Sequence, residues 1–351
     1  MLKEKLLVDK LETTHRLNKE EWVCLIENGE KIKEYIFEKA RKIADNFYGK
    51  KVFIRGLIEF TNYCRNDCLY CGIRRSNEKV NRYRLTEDEI FECCKEGYEL
   101  GFRTFVLQGG EDMYFTDEMM VKIISGIKEK YPDCALTLSV GERNKETYEK
   151  YYRAGADRFL LRHETANECH YAKLHPEKLT LKNRMKCLYD LKDIGFQTGC
   201  GMMIGSPYQT SENLAEDMIF LSEFKPHMVG MGPFVSHKDT PFADFENGSS
   251  NKTILMLGLT RIMLPEVLLP ATTALGTVDG SGREKAVLAG ANVVMPNLSP
   301  LSVRKKYMLY DNKISTGDEA AESLNSLKAR MKKIGYEISH ERGDYKDFKR
   351  K

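Results

Sequence analysis

The sequence has no apolar run near the roughly 20 residues that a membrane-crossing helix requires. Its first residues, MLKEKLLVDKLETTHRL, are charged throughout and lack the apolar stretch and small-residue cleavage site of a secretory leader. It also lacks a charge excess: 55 Lys and Arg against 52 Asp and Glu leave a net +3, with no basic stripe interleaved with aromatics. Neither a membrane nor a nucleic acid is therefore an expected partner. These absences place the chain in the cytoplasm, where ten cysteines read as metal or cluster ligands and buried thiols before disulfides.

What is present is a globular composition, 42% hydrophobic and 30% charged over 351 residues, enough for one large α/β domain or two ordinary ones. Residues 1–50 read as a helical extension, with Leu6, Leu7, Leu11, Trp22, Leu25, Ile26, Ile36, Ala40, Ile43 and Phe47 at helical spacing. From Lys51 apolar runs alternate with amphipathic segments. Strands are expected at 52–60, 104–108, 135–139, 157–162, 197–204, 227–232, 268–274 and 291–296. The intervening helices are 87–100, 117–130, 145–154, 181–194, 211–224, 252–263 and 282–289. Gly101, Gly155, Gly195 and Gly290 fall at helix-to-strand joints, where left-handed C-caps are needed. Eight βα units in series predict an α/β fold, a complete (β/α)₈ TIM-type barrel over 51–300. A doubly wound sheet is the alternative. Residues 301–351 form a C-terminal segment closing or decorating the barrel, with a helix at 318–333 and a loose charged end.

The sharpest pattern is Cys64-Arg-Asn-Asp-Cys68-Leu-Tyr-Cys71, directly after the first barrel strand. Three thiolates on one short loop can hold a [4Fe–4S] cluster and leave its fourth iron open to a small molecule. A structural Zn²⁺ would want four ligands, commonly in pairs. No second pair is present: Cys93 and Cys94 are adjacent, and Cys24, Cys134, Cys169, Cys187 and Cys200 are scattered. Those seven read as small buried residues.

Barrel chemistry gathers at the C-terminal strand ends. Here these ends are Gln108-Gly109-Gly110-Glu111-Asp112, Ser139-Val140-Gly141-Glu142 and Arg162-His163-Glu164-Thr165. Beyond them lie Met202 and Met203, Met231, Thr272 and Thr273, and Met295, with Tyr307 just past the last strand. Paired glycines allow close backbone approach to a ligand or simply a tight turn. Glu164 could accept from a ribose or an ammonium, and Arg162 and Arg184 could pair with carboxylates, or the three could form rim ion pairs. His163 reads as an ordinary satisfied histidine. Met231, Met295 and Tyr307 are candidate cavity walls.

The Cys-x₃-Cys-x₂-Cys loop resembles that of the radical S-adenosylmethionine (SAM) superfamily, with Tyr70 in the usual aromatic position. NYCRNDCLYCGIRRSN, YRLTEDEI, VLQGGEDMY, DRFLLRHETAN, VGMGPFVSHKDTP, LPATTALGT and GANVVMPN together resemble the HydE family of [FeFe]-hydrogenase maturation proteins, of the biotin synthase-like group. The resemblance spans about Asn62 to Tyr310. It implies an enzyme with one [4Fe–4S] cluster on Cys64, Cys68 and Cys71, reductive cleavage of SAM to a 5′-deoxyadenosyl radical, and an anaerobic setting. It further implies SAM contacts at Ser139, Glu164 and Arg184; Tyr70, Gln108, Met203 and Met231 are further expected cofactor contacts, with core packing an equal account of Met203. On the resemblance Arg162, Thr272 and Thr273 would line the pocket of a small cysteine-derived or iron carbonyl/cyanide substrate, with Met295 and Tyr307 expected beside them as walls. HydG, HydF and an external one-electron reductant are the implied partners. Residues 312–325 lack the second cysteine triplet some members carry, and Gly109 and Tyr208 stand where Ser and Gly are usual. A methylornithine synthase-like isomerase and a non-catalytic metal-binding scaffold are the competing readings.

Overall fold

The computed structural model describes residues 2–314 and 320–351. Three helices open the chain: α1 (Leu2–Thr14), α2 (Lys19–Asn28) and α3 (Lys33–Tyr48). Then come β1 (Lys51–Ile54), β2 (Gly56–Thr61), α4 (Glu87–Glu99), β3 (Thr104–Gly109), α5 (Asp117–Lys130), β4 (Ala135–Ser139), α6 (Lys145–Arg153) and β5 (Arg158–Leu160). They are followed by α7 (Glu168–Leu174), α8 (Leu181–Ile194), β6 (Gln197–Cys200), β7 (Met203–Ile204), α9 (Ser211–Phe224), β8 (Met228–Val229), β9 (Gly232–Pro233) and α10 (Ser250–Met263). The last elements are α11 (Thr273–Val278), α12 (Gly282–Leu288), β10 (Val293–Val294), α13 (Leu301–Arg304), α14 (Ala320–Lys333) and β11 (Glu337–Ser339).

The fold is α/β, built on a parallel sheet in the order β2-β3-β4-β5-β6-β8. All six residues of β2 are buried, as expected where helices cover a parallel sheet. A smaller sheet, β10-β1-β11, and the pair β7-β9 are also parallel. Single parallel bridges join Leu57 to Asn297, Met228 to Leu268 and Pro270 to Val293.

Local chemistry sets the helix starts. Asn18, Thr86 and Thr210 each form a capping box, and Thr116, Asn144, Asn167 and Thr180 cap through one side-chain acceptor. The four joint glycines all have positive φ, from 88° to 117°. The N-terminal helices wrap the outer layer, α2 on α9 and α3 on α10, with Trp22 fully buried between them.

Several expectations change. The expected strands 197–204 and 227–232 each break in two, as β6 with β7 and β8 with β9, where Gly201 presses on Gly230, and 157–162 and 291–296 shorten to β5 and β10. The first strand is two strands, because at Arg55 the chain exchanges β10 and β11 as neighbours for β3. The seventh stops early: Leu268 and Pro270 make single bridges and α11 begins at Thr273. Pro270 has no N–H for a ladder, and the Thr272 hydroxyl caps the helix by accepting from Leu275 N at 3.3 Å. The C-terminal end is tied down. β11 joins β1, and Asp344 takes Arg158 Nη2 at 2.6 Å and Gln197 Nε2 at 2.7 Å beneath the sheet. Burial works against the Asp344 charge, yet Arg158 and Arg342 hold the carboxyl below its usual range. The first two residues expected in the last helix lie outside the described residues. Tyr208 occupies its glycine-like position with φ 65°, its exposed ring packed on Phe242 and Phe245.

Candidate functional site

A cavity of about 280 Å³ lies at the C-terminal ends of β3, β4 and β5, and Cys64, Cys68 and Cys71 all line it. Their loop is held from several sides. Arg65 N donates to Glu111 O at 2.9 Å, Leu69 N to Leu174 O at 3.0 Å and Gly72 N to Leu309 O at 2.8 Å. Asp67 accepts from Arg74 Nε at 2.7 Å and Ser76 N at 3.0 Å. Arg82 acts as a hub, donating to the carbonyls of Asn62, Ile73, Arg74 and Asn77. Gly110 presses against this loop: a Cβ there would sit 2.1 Å from Tyr63 O and 2.8 Å from Cys64 Cβ. The close approach foreseen for the glycine pair is thus made to the cysteine loop.

Burial pushes all three thiols above their ordinary pKa, Cys71 to about 12; Cys71 and Cys64 add to the rise at Cys68, and Cys64 to that at Cys71. The Asn66 and Ile73 backbone N–H groups oppose it at Cys64 and Cys71. Three such thiols become thiolates together only around a strong positive charge, which an iron–sulfur cluster supplies. Among the described residues no three His, Cys, Asp or Glu side chains converge as a single bound ion requires. A donor set spread around one cavity suits a cubane better than a lone Zn²⁺.

The opposite wall is a chain of charges. Glu111 Oε1 accepts from Glu142 N at 2.9 Å, while Arg65 holds Oε2 at 3.0 Å. Glu142 takes Arg184 Nε at 2.6 Å and Asn183 Nδ2 at 2.6 Å, and Arg184 Nη1 reaches Arg162 O at 2.5 Å. Arg162 Nη2 lies 2.9 Å from Glu164 Oε2, but neither atom has an aligned hydrogen bond, nor does Arg162 Nε. Glu164 is also held at φ 66°, a conformation that costs a non-glycine residue about 1 kcal/mol. Strain and polar atoms without aligned hydrogen bonds thus coincide on the cavity wall. Behind it, His163 is a satisfied core histidine: Gly201 N donates to Nδ1 at 3.2 Å, so Nε2 faces Asp217 Oδ1 at 3.2 Å as donor. Asp217 also takes Ala166 N at 2.5 Å, which pins the loop carrying Arg162 and Glu164.

Tyr70 closes one side, its hydroxyl donating to His175 Nε2 at 3.2 Å, while His175 Nδ1 donates to Tyr171 O at 3.0 Å. Burial, with Arg184 nearby, lowers the His175 pKa to about 3. The unfolded imidazole titrates near 6.5, so the unfolded chain binds the extra proton first and stability falls as pH drops below that value. Unfolding of the metal-free protein in urea should show about 2 kcal/mol lost through this group between pH 7.5 and 5. His175→Gln should flatten the profile by that amount, and an unchanged slope would remove His175 as the cause.

Of the residues expected to meet SAM, Tyr70, Gln108, Ser139, Glu164, Arg184 and Met203 line the cavity, as do Arg162 and Tyr307 from the substrate set. The others sit elsewhere. Met231 is fully buried in the core, Thr272 and Thr273 start α11 beside the lining residue Ala274, and Met295 packs with Phe53, Met228, Leu268 and Val293. The other cysteines are free, but Cys24 is only half-buried and Cys169 is exposed. Glu111 and Glu142 stand at the expected strand ends, but their role as counter-charges was not anticipated, nor was Tyr310, which lines the cavity from the C-terminal segment.

A model of the radical SAM superfamily matches residues 58–221. The [FeFe] hydrogenase maturase subunit HydE of Thermotoga maritima is 42% identical over 328 residues, 93% of this chain and 92% of that one. A 3-methylornithine synthase of Methanosarcina barkeri is 29% identical over 304 residues, covering 86% and 84%. Among solved structures, methylornithine synthase aligns with a TM-score of 0.83 at 27% identity, over 95% of this chain and 97% of that one. The [FeFe]-hydrogenase maturase HydG shares the fold at a TM-score of 0.80 and 19% identity, over 96% and 76%. Together with the site's geometry, these likenesses establish that the chain is a radical SAM enzyme and belongs to the HydE family of [FeFe]-hydrogenase maturases.

Proposed function

We propose that Cys64, Cys68 and Cys71 hold a [4Fe–4S] cluster with SAM at its open iron. On this reading the enzyme acts on a small cysteine-derived or iron carbonyl/cyanide substrate during assembly of the [FeFe]-hydrogenase diiron subcluster. The observation that carries the reading is the meeting of all three thiols with Arg162, Glu164 and Arg184 on one cavity. When bound, the cluster supplies the electron that cleaves SAM and releases a 5′-deoxyadenosyl radical.

The protein's part is to bind, orient and exclude water. Glu164 Oε2, beside Arg162 without an aligned hydrogen bond, offers an acceptor for a ribose hydroxyl or the SAM ammonium, and Arg184, fixed by Glu142, a donor for its carboxylate. Tyr70, Gln108, Ser139 and Met203 complete the SAM surroundings. Arg162, whose Nε and Nη2 make no aligned hydrogen bond, would take an anionic substrate with Tyr307 across the same cavity. The three single bridges support a ring of eight parallel strands closing around this space. Residues 51–300 would form that barrel, 1–50 its helical extension and 301–351 its closing segment. Family membership supports exchange with HydG and HydF, an external one-electron donor, and work in an oxygen-free cytoplasm.

Glu164→Ala and Arg184→Ala should each weaken SAM binding ten- to a hundredfold, the effect of losing one charge-assisted hydrogen bond. The EPR signal of the reduced cluster should survive, and Glu164→Gln serves as the shape-preserving control. Unchanged SAM affinity would return these residues to a purely structural rim. The biological assignment is tested by a hydrogenase maturation assay with this protein omitted and restored. Hydrogenase activity should appear only on restoration, and activity without it would refute the assignment.

A further inference from the structure

The cysteine loop has a second face, turned away from the cavity. Gly72, next after Cys71, is walled so closely that a Cβ there would lie 2.2 Å from Met308 O and 2.4 Å from His237 Cδ2. His237 and Met308 also form part of the lining of a separate surface pocket of about 570 Å³, together with Lys79, Lys238, Lys305 and Lys306. Two carboxylates share the pocket and both are engaged. Asp239 takes Lys79 Nζ at 2.6 Å, and Asp311 takes Lys238 N at 2.7 Å with His237 Nε2 at 3.8 Å. The ammonium groups of Lys238, Lys305 and Lys306 have no carboxylate partner among the described residues.

Three separate chain segments thus bring lysines to one concave surface, and its two carboxylates leave the pocket with a positive excess. We propose that this pocket docks an acidic one-electron carrier protein, which reduces the cluster from the Gly72 side of its loop. The inference rests on the reading that Cys64, Cys68 and Cys71 hold a cluster. The charge pattern calls for a negatively charged partner. The width of the lysine array, across segments 79–81, 237–239 and 305–308, favours a protein surface over a phosphate-sized ion. Position supplies the function, since the pocket wall touches the residue bonded to Cys71. In the step the carrier is oxidised by one electron, the site is reduced by one, and no bond forms or breaks. The lysines act by steering and registering the partner, an effect that salt screens.

The test titrates the reconstituted protein with an acidic flavodoxin, following complex formation by calorimetry. The wild type should bind in about 50 mM salt and lose at least tenfold in affinity at a few hundred millimolar. The triple variant Lys238→Glu, Lys305→Glu, Lys306→Glu should bind at least tenfold more weakly in low salt, and flavodoxin-driven SAM cleavage should fall with it. Dithionite-driven SAM cleavage should stay at the wild-type rate, which also shows the variant folded and loaded. Equal flavodoxin affinity in variant and wild type would overturn the proposal. So would millimolar inorganic phosphate displacing the carrier at constant ionic strength, which would assign the pocket to a small anion. Loss of dithionite-driven cleavage in the wild type itself would instead sink the cluster reading on which the docking rests.

Discussion

Alanine at any one of Cys64, Cys68 or Cys71 should abolish 5′-deoxyadenosine formation, while Cys93→Ala and Cys187→Ala retain it. A cluster with one iron already open has no spare protein ligand, and two thiolates cannot hold it against loss. No other cysteine lines the cavity to act as substitute. Cys93 and Cys187 are instead core residues, Cys187 donating weakly to Arg143 O at 3.6 Å. Truncating either removes one buried sulfur and should cost about 1 kcal/mol of stability without reaching the cluster. Chromatographic assay of 5′-deoxyadenosine after anaerobic reconstitution reads the difference. Cleavage retained in all three loop variants would mean that the cluster lies elsewhere.

Lys313→Ala should destabilise the protein by about 3–5 kcal/mol, the usual consequence of stranding a buried charge. Glu59, on β2, is 1% exposed and holds Lys313 Nζ at 2.5 Å on one oxygen and Asn297 Nδ2 at 2.9 Å on the other. Lys313 also donates to Tyr307 O at 2.9 Å. This one ammonium therefore ties the segment carrying Tyr307 and Tyr310 to the floor of the site. Without it, Glu59 is left buried with no counter-charge and one donor fewer. Replacing both partners, Lys313→Met with Glu59→Leu, removes charge and counter-charge together and should recover most of the loss. Urea unfolding of the two variants decides the matter. A loss below about 1 kcal/mol for Lys313→Ala would show that water or a neighbour already solvates Glu59.

The order of strands and helices was legible because most of the barrel helices carry a side-chain cap and strands such as β2, β3 and β4 an apolar run. Helices 117–130, 181–194 and 211–224 appear with the boundaries expected of them. Where neighbours decide, the sequence was silent. Nothing local in Val52–Phe60 marks Arg55 as the point where the chain changes partners. The tail after Tyr336 reads as solvated because its salt bridges to Arg158 and Asp157 join residues nearly two hundred positions apart. In the site, the cysteine loop and the arginines and glutamates at strand ends were readable from chemistry and position. Their pairing was not: Glu142 captures Arg184, while Arg162 and Glu164 lie beside each other with hydrogen-bonding capacity left over. Thr272 shows the opposite error, since a strand-end hydroxyl that looked free for a ligand is occupied in capping α11.

The most direct test is anaerobic reconstitution of the protein with iron and sulfide, followed by reduction in the presence of SAM and metal analysis of the same sample. The account predicts about four iron and four sulfide per chain and dithionite-dependent release of 5′-deoxyadenosine. About one zinc per chain, with no iron–sulfur absorption and no SAM cleavage, would contradict it.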